Sequence, residues 1–251
     1  MATSGTFDYA KGAELMSVQQ EIDASPEADL TRILAGLEDS VNVFTGNAEE
    51  LLTVCARLDD PSQVELLMEG DVRADITLGV RRLHNYVASV RALRDHSCAV
   101  RNELYGGGRD AQFYDEWNAK ARDIFAGNPT NEFIGDLRNY IQHRALPIGG
   151  VRLQHARNAG TASCFYLDTK KLFLWKDWDS RSTEYMAGHD PLRVSALVTE
   201  YRELVTEFHA WRRRRQEEVH AEDLQRHRAR LNRERVLMKE LGVDERFAHP
   251  V

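Results

Sequence analysis

The stretch ITLGVRRLHNYVASV, residues 76–90, places Ile76, Val80, Leu83, Val87 and Val90 at intervals of three or four, the spacing that lines one face of an α-helix. It lies within a longer segment, Pro61 to Tyr105, that has no internal proline and reads as the central helix. Gly106-Gly107-Gly108 ends it, because three successive glycines lack helix propensity and permit a sharp change of direction. Upstream, Leu30, Ile33, Leu34, Leu37, Val41 and Phe44 repeat the same spacing from Pro26, with a break expected at Thr45-Gly46 and a short second helix over Asn47 to Leu58. Downstream, a fourth helix is expected over Ala111 to Phe125. A fifth is announced by Asn128-Pro129, an N-cap residue followed by proline at the first helical position. It must stop before Pro147, and Gly149-Gly150 marks the exit.

The period then changes. Val151 and Leu153 alternate with polar neighbours, and the aromatic-rich runs CFYL (164–167) and LFLW (172–175) are bounded by turn residues at Asn158 to Gly160 and Asp168 to Lys171. This predicts a small antiparallel meander. From Pro191 the pattern is helical again, with an apolar stripe from Val194 through Leu197, Tyr201 and Phe208 to Trp211, after which charge dominates. The fold class expected is mainly α: an antiparallel helical bundle over 1–147, a β meander over 148–178, and a long C-terminal helix with a basic tail over 179–251.

The chain has 251 residues, 42% hydrophobic and 29% charged, with 16 glycines and 6 prolines, enough for a real core and too few breakers for an all-β sandwich. Its net charge of −7 conceals a polarised distribution. Residues 1–70 hold 3 basic and 14 acidic residues, whereas residues 212–239 hold 10 basic and 5 acidic. Such a tail can be a solvated helix extension, contact RNA, or pack on an acidic surface, its own or a neighbouring subunit's. Cys55, Cys98 and Cys164 are far apart and form no CxxC pair, which fits a reducing compartment. The first residues, MATSGTFDYAK, lack a basic start and apolar run, and no stretch approaches eighteen apolar residues, so a soluble, cytoplasmic protein with no membrane partner is expected. No cofactor or metal is expected: Gly106 to Gly108 lacks the lysine of a phosphate loop, no HExxH or EF-hand sequence occurs, and His155 with Cys164 has no third ligand.

The chemistry-bearing segment is FIGDLRNYIQHRALP, Phe133 to Pro147. Six arginines in the chain precede a histidine with four to six residues between, but only Arg138, before His143, is itself followed by Asn, Asp or His, here Asn139. At 100° per residue Phe133, Leu137, Tyr140 and Ile141 share one helix face, Asn139, Gln142 and His143 lie opposite, and Arg138 is at the border. The segment resembles the signature of the HEPN superfamily, in which an arginine, a polar residue and a histidine form the active site of many metal-independent RNases. The resemblance implies catalytic roles for Arg138, Asn139 and His143 and an antiparallel helical bundle of HEPN type over roughly residues 27–147. It also implies an endoribonuclease of bacterial defence or toxin type that leaves a 2′,3′-cyclic phosphate.

Those residue types suit the reaction. Histidine can transfer protons near neutral pH, and arginine offers a planar, permanently charged fork to phosphate oxygens. One turn before His143, Asn139 can orient the imidazole or bind a phosphate oxygen. Arg138 and His143 are about 140° apart around the helix, and one copy does not supply both an acid and a base. The resemblance implies pairing of two copies in a homodimer with a composite site. RNA is the expected substrate and a regulatory protein a possible partner, although Ala145 stands where one toxin branch carries the tyrosine that its antitoxins modify. The alternative is a non-catalytic HEPN-like helical protein that binds RNA, a nucleotide or a protein partner. The cluster His84-Asn85-Tyr86 reads either as a polar helix face or as part of the same cleft, and Arg91 with Asp95 as a surface ion pair.

Overall fold

Asp8 opens α1 (Tyr9–Asp23): its carboxylate accepts the otherwise unpaired N–H groups of Ala10 and Lys11, both at 3.1 Å. The computed structural model describes residues 8–68, 72–147, 149–156 and 160–249. The chain continues through α2 (Pro26–Leu58), α3 (Pro61–Met68), α4 (Val72–Tyr105), α5 (Ala111–Phe125) and α6 (Pro129–His143). Strands β1 (Gly149–Ala156) and β2 (Gly160–Leu167), the turn α7 (Thr169–Leu172) and α8 (Ser180–Ala187) follow. Strand β3 (Leu192–Arg193), α9 (Val194–Val219), α10 (Ala221–Leu241) and a 3-10 turn (Glu245–Phe247) complete it. The protein is mainly helical with a small three-stranded antiparallel sheet, and among the described residues no helix is long and apolar enough to cross a membrane.

Several local expectations change. No break occurs at Thr45-Gly46: α2 is continuous. A glycine costs a helix about 1 kcal/mol, less than is gained by burying Phe44, Ala48, Leu51, Val54 and Leu58 along one stripe. The segment from Pro61 to Tyr105 is two helices, α3 and α4, with residues 69–71 outside the described residues. The glycine triplet does end α4, with Gly107 and Gly108 at φ of 65° and 82°, where side chains are disfavoured. In the meander, CFYL lies in β2, but LFLW is not a strand. Asp168 accepts the N–H of Lys171 at 3.3 Å and starts a helical turn there. The third strand is instead Leu192–Arg193, paired with Leu167 and Tyr166 of β2. Part of the turn expected at Asn158 to Gly160 lies outside the described residues. The long C-terminal helix is also two, α9 and α10, separated at His220.

The chain divides into two compact units, with boundaries inside α2 and α9: Leu37–Trp211, and Met1–Gly36 with Arg212–Val251. In the larger unit α4 buries Leu83, Tyr86, Val87, Val90 and Leu93, and α9 buries Val194, Leu197, Val198, Tyr201, Val205 and Phe208, the stripes expected from their periodicity. Phe44 of α2 joins them, its ring 5.5 Å from Tyr86 and 6.3 Å from Tyr201. The sheet is fastened by Asp59, which accepts the N–H of Phe165 at 2.6 Å and the hydroxyl of Ser195 at 2.7 Å. Gly79 lets α4 approach it, since a Cβ there would stand 2.8 Å from the Phe165 ring.

In the smaller unit the acidic front meets the basic tail of the same chain. Around a core of Leu15, Leu237 and Met238, Glu27 accepts Nε of Arg226 at 2.9 Å and Nη1 of Arg230 at 3.0 Å, and Glu14 accepts Nε of Arg233 at 3.0 Å. Glu234 is fully buried and receives Gln19 at 3.0 Å and both the backbone N–H and Nδ1 of His249, at 3.1 and 2.8 Å. His249 Nε2 reaches Asp23 at 3.0 Å, so both ring nitrogens face carboxylates and the charged ring is favoured. Hydrogen bonding to Arg226 and, further, to Arg230 lowers the Glu27 pKa from 4.5 to about 2. Partial burial would lower that of His249, but its bonds to Glu234 and Asp23 outweigh this and leave it above 6.5.

A lowered carboxylate pKa stabilises the fold above about pH 4.5, and that contribution is lost as pH falls toward 2. A raised histidine pKa stabilises it fully below 6.5, and that contribution is lost as pH rises through the folded-state value. In thermal melts followed by circular dichroism, Glu27→Gln should melt below wild type at about pH 6 and converge on it toward about pH 2. His249→Ala should show its largest deficit near pH 6 and converge on wild type in alkali.

Candidate functional site

The helix that carries the motif is built by local rules. The Asn128 side chain accepts the N–H groups of Thr130 at 3.0 Å and Asn131 at 3.2 Å, with Pro129 at the first helical position. Its apolar face, Phe133, Ile134, Leu137 and Tyr140, is buried. Phe133 and Tyr140 are seven residues apart, two turns along one face, and Trp178 stacks on both, with centroids 5.7 and 5.6 Å away and planes within 18° and 20°. Trp175 stands edge-on to Tyr140 and Trp178, and Tyr185 of α8 stacks on Phe133 at 5.2 Å. Polar ties complete the attachment. Trp178 Nε1 donates to the Leu172 carbonyl at 2.8 Å, Asp136 accepts the N–H of Asp179 at 2.7 Å, and Glu200 of α9 accepts both Thr130 and Tyr185 hydroxyls at 3.0 Å.

With one face so engaged, the opposite face is left to solvent. Asn139, Gln142 and His143 are exposed and Arg138 is half-buried at the border, as 100° per residue requires. Arg138 Nη1 donates to Asn139 Oδ1 at 3.3 Å, which leaves the Asn139 amide available to a ligand, while Arg138 Nε is buried without a hydrogen-bond partner among the described residues. His143 occupies the last turn, where a cation complements the helix dipole. No hydrogen bond or ion pair engages its ring among the described residues. Arg138 and Asn139 are thus brought together, and His143 shares the exposed face with Asn139, about 140° around α6 from Arg138, with no hydrogen bond to either among the described residues. A single chain presents one accessible imidazole and one guanidinium here, the groups needed for one proton transfer and for phosphate binding.

The other sequence candidates separate. His84 and Asn85 are exposed on α4, whereas Tyr86 is fully buried, its hydroxyl lacks a partner among the described residues, and burial holds its pKa far above the usual value. Arg91 pairs with Asp95 at 2.8 Å on the surface, as expected. His96 Nδ1 lies 2.6 Å from Ser40 Oγ. Among the described residues, no group of three His, Cys, Asp or Glu side chains converges as a metal site would require.

The larger unit also contains a cleft of about 450 Å³ between α4, α5 and α9, bordered by the start of α6. Its cations are Arg94, Arg101 and Arg122, and its apolar wall includes Trp117, Phe125 and Phe208. None of Arg138, Asn139 or His143 lines it. Sequence reading missed this site. Arg94 and Arg101 are seven apart and so share a helix face, the one available signal, but Arg122 comes from α5 and the wall from α9. The chain matches no family model, and no curated protein or solved structure is significantly similar to it.

Because Phe133 is at the centre of the ring stack and fully buried, Phe133→Ala should destabilise the protein by about 3–5 kcal/mol. His143→Ala, at an exposed position, should change stability by no more than about 0.5 kcal/mol. Urea denaturation of both variants checks the difference and shows whether His143 can be altered without disturbing the fold.

Proposed function

We propose that the protein is a metal-independent endoribonuclease of HEPN type, acting as a homodimer in bacterial defence or as a growth-restricting toxin, with α2, α4, α5 and α6 as its helical bundle. The observation that carries this reading is the solvent-facing side of α6. Arg138 is hydrogen-bonded to Asn139 at 3.3 Å and His143 is exposed one turn further on, on a helix whose opposite face is pinned by stacked rings. In this mechanism one His143 imidazole removes the proton from the 2′-hydroxyl, which attacks the adjacent phosphorus. The second copy's His143, in its charged form, gives a proton to the departing 5′-oxygen. Arg138 holds the non-bridging oxygens as negative charge builds on the phosphorane, and Asn139 fixes the Arg138 fork and offers its amide to the same oxygens. The products are a 2′,3′-cyclic phosphate and a 5′-hydroxyl.

A second reading is a non-catalytic helical protein that binds RNA, a nucleotide or a protein partner. The observation that favours it is that nothing among the described residues orients the His143 ring. The two readings part in one experiment. Purified protein incubated with single-stranded RNA in EDTA should release fragments with cyclic-phosphate ends. His143→Ala and Arg138→Ala should each slow cleavage by about a hundredfold or more. Cleavage that persists undiminished in both variants overturns the assignment, and RNA binding without cleavage by wild type favours the second reading.

A further inference from the structure

The cleft between α4, α5 and α9 is within the size range of small-molecule sites. Its floor is apolar: Leu93, Trp117, Tyr201 and Phe208 are nearly buried, and the Phe208 ring meets those of Trp117 and Phe125 edge to face at 5.8 and 5.5 Å. Several of its polar groups are already engaged by the protein. Ser97 Oγ donates to the Leu93 carbonyl at 2.7 Å, and the Asn131 amide donates to the Phe125 carbonyl at 3.2 Å. Arg101 donates to Asn118 Oδ1 at 2.6 Å and lies over the Tyr114 ring at 4.9 Å. Glu132 is 3.9 Å from Arg181.

Arg94 and Arg122 differ from these. Both are exposed at the cleft, and neither has a hydrogen-bond or ion-pair partner among the described residues. Close to Arg94, the Tyr201 hydroxyl also makes no hydrogen bond among the described residues. Burial pushes its pKa up to about 12, so it keeps a proton to donate. The cleft therefore offers two uncommitted cations and a neutral donor above an apolar floor.

We propose that this cleft binds a small organic anion with an apolar body, a medium-chain carboxylate, whose head group pairs with Arg94 and Arg122 while its chain covers Trp117, Phe125 and Phe208. A planar guanidinium matches a carboxylate in two parallel hydrogen bonds, and an aliphatic chain needs no polar partner. A nucleotide would bring many sugar and base polar atoms against a floor formed by Leu93, Trp117, Phe125 and Phe208, and unpaired burial of those atoms is costly. The site is independent of the α6 motif, none of whose residues reaches it.

Cys98 lines the cleft and is half-buried, whereas Cys55 and Cys164 are buried, so a thiol reagent reports on this site selectively. Octanoate titrated into the full chain in a calorimeter should bind saturably and slow modification of Cys98. Arg94→Ala and Arg122→Ala should each weaken that binding about tenfold. Both positions are exposed, and circular dichroism verifies that the variants fold. Acetate, which lacks the chain, and adenosine monophosphate should neither bind at the same concentration nor protect Cys98. The proposal is overturned if octanoate does not bind, if it protects Cys98 equally well in both arginine variants, or if adenosine monophosphate binds more tightly than octanoate.

Discussion

The larger unit is organised by the burial of α4. Its apolar stripe, centred on Leu83, Tyr86, Val87, Val90 and Leu93, leaves that helix no alternative but to be surrounded. Phe44 from α2 packs on both Tyr86 of α4 and Tyr201 of α9, α6 packs alongside α4, and Gly79 lets Phe165 of the sheet come into contact with α4. Both candidate sites follow from this arrangement. On one side α6 is clamped so that its polar face remains outside. Between α4, α5 and α9 there remains a cleft with an apolar floor and arginines at its border.

These two sites differ in physical character. The α6 motif is an open, polar surface on which Asn139 and His143 are exposed and Arg138 is half-buried, and the activity proposed for it needs a second surface to exclude water and complete an acid–base pair. This is why the proposed activity is tied to a dimer. The cleft is partly enclosed and largely apolar, so desolvation of an apolar body supplies the drive and a charge at the border supplies selectivity. Arginine is the anion-binding group proposed at both, for the same reason: a charge that persists at any physiological pH on a fork that matches planar anions.

The smaller unit shows what the polarised charge does. Exposed ion pairs contribute little individually, but Glu27 accepts two arginines while its side chain is 11% exposed, and the wholly buried Glu234 is satisfied from α1 and from the segment after α10. A buried carboxylate left without such partners would be strongly destabilising. The arginines Arg226, Arg230 and Arg233 that made the tail look suited to a polyanion are paired with Glu27 and Glu14 of their own chain.

Features that depend on neighbours within a turn or two were legible in the chain alone. These include the apolar stripes of α2, α4 and α9, the stop at Gly106 to Gly108, the start of α6 at Asn128-Pro129, and the exposure of Asn139 and His143 opposite Phe133 and Tyr140. Local chemistry alone misjudged Gly46, because burial of a long stripe outweighs one weak residue, and LFLW, because Asp168 caps a turn where aromatic content suggested a strand. Long-range packing, and no local signal, puts Trp178 on Phe133 and Tyr140, Glu27 against Arg226, 199 residues away, and Arg122 with Arg94 at one cleft. Each of these rests on packing between segments remote in the chain, and periodicity within a helix specifies which face is buried but not what buries it.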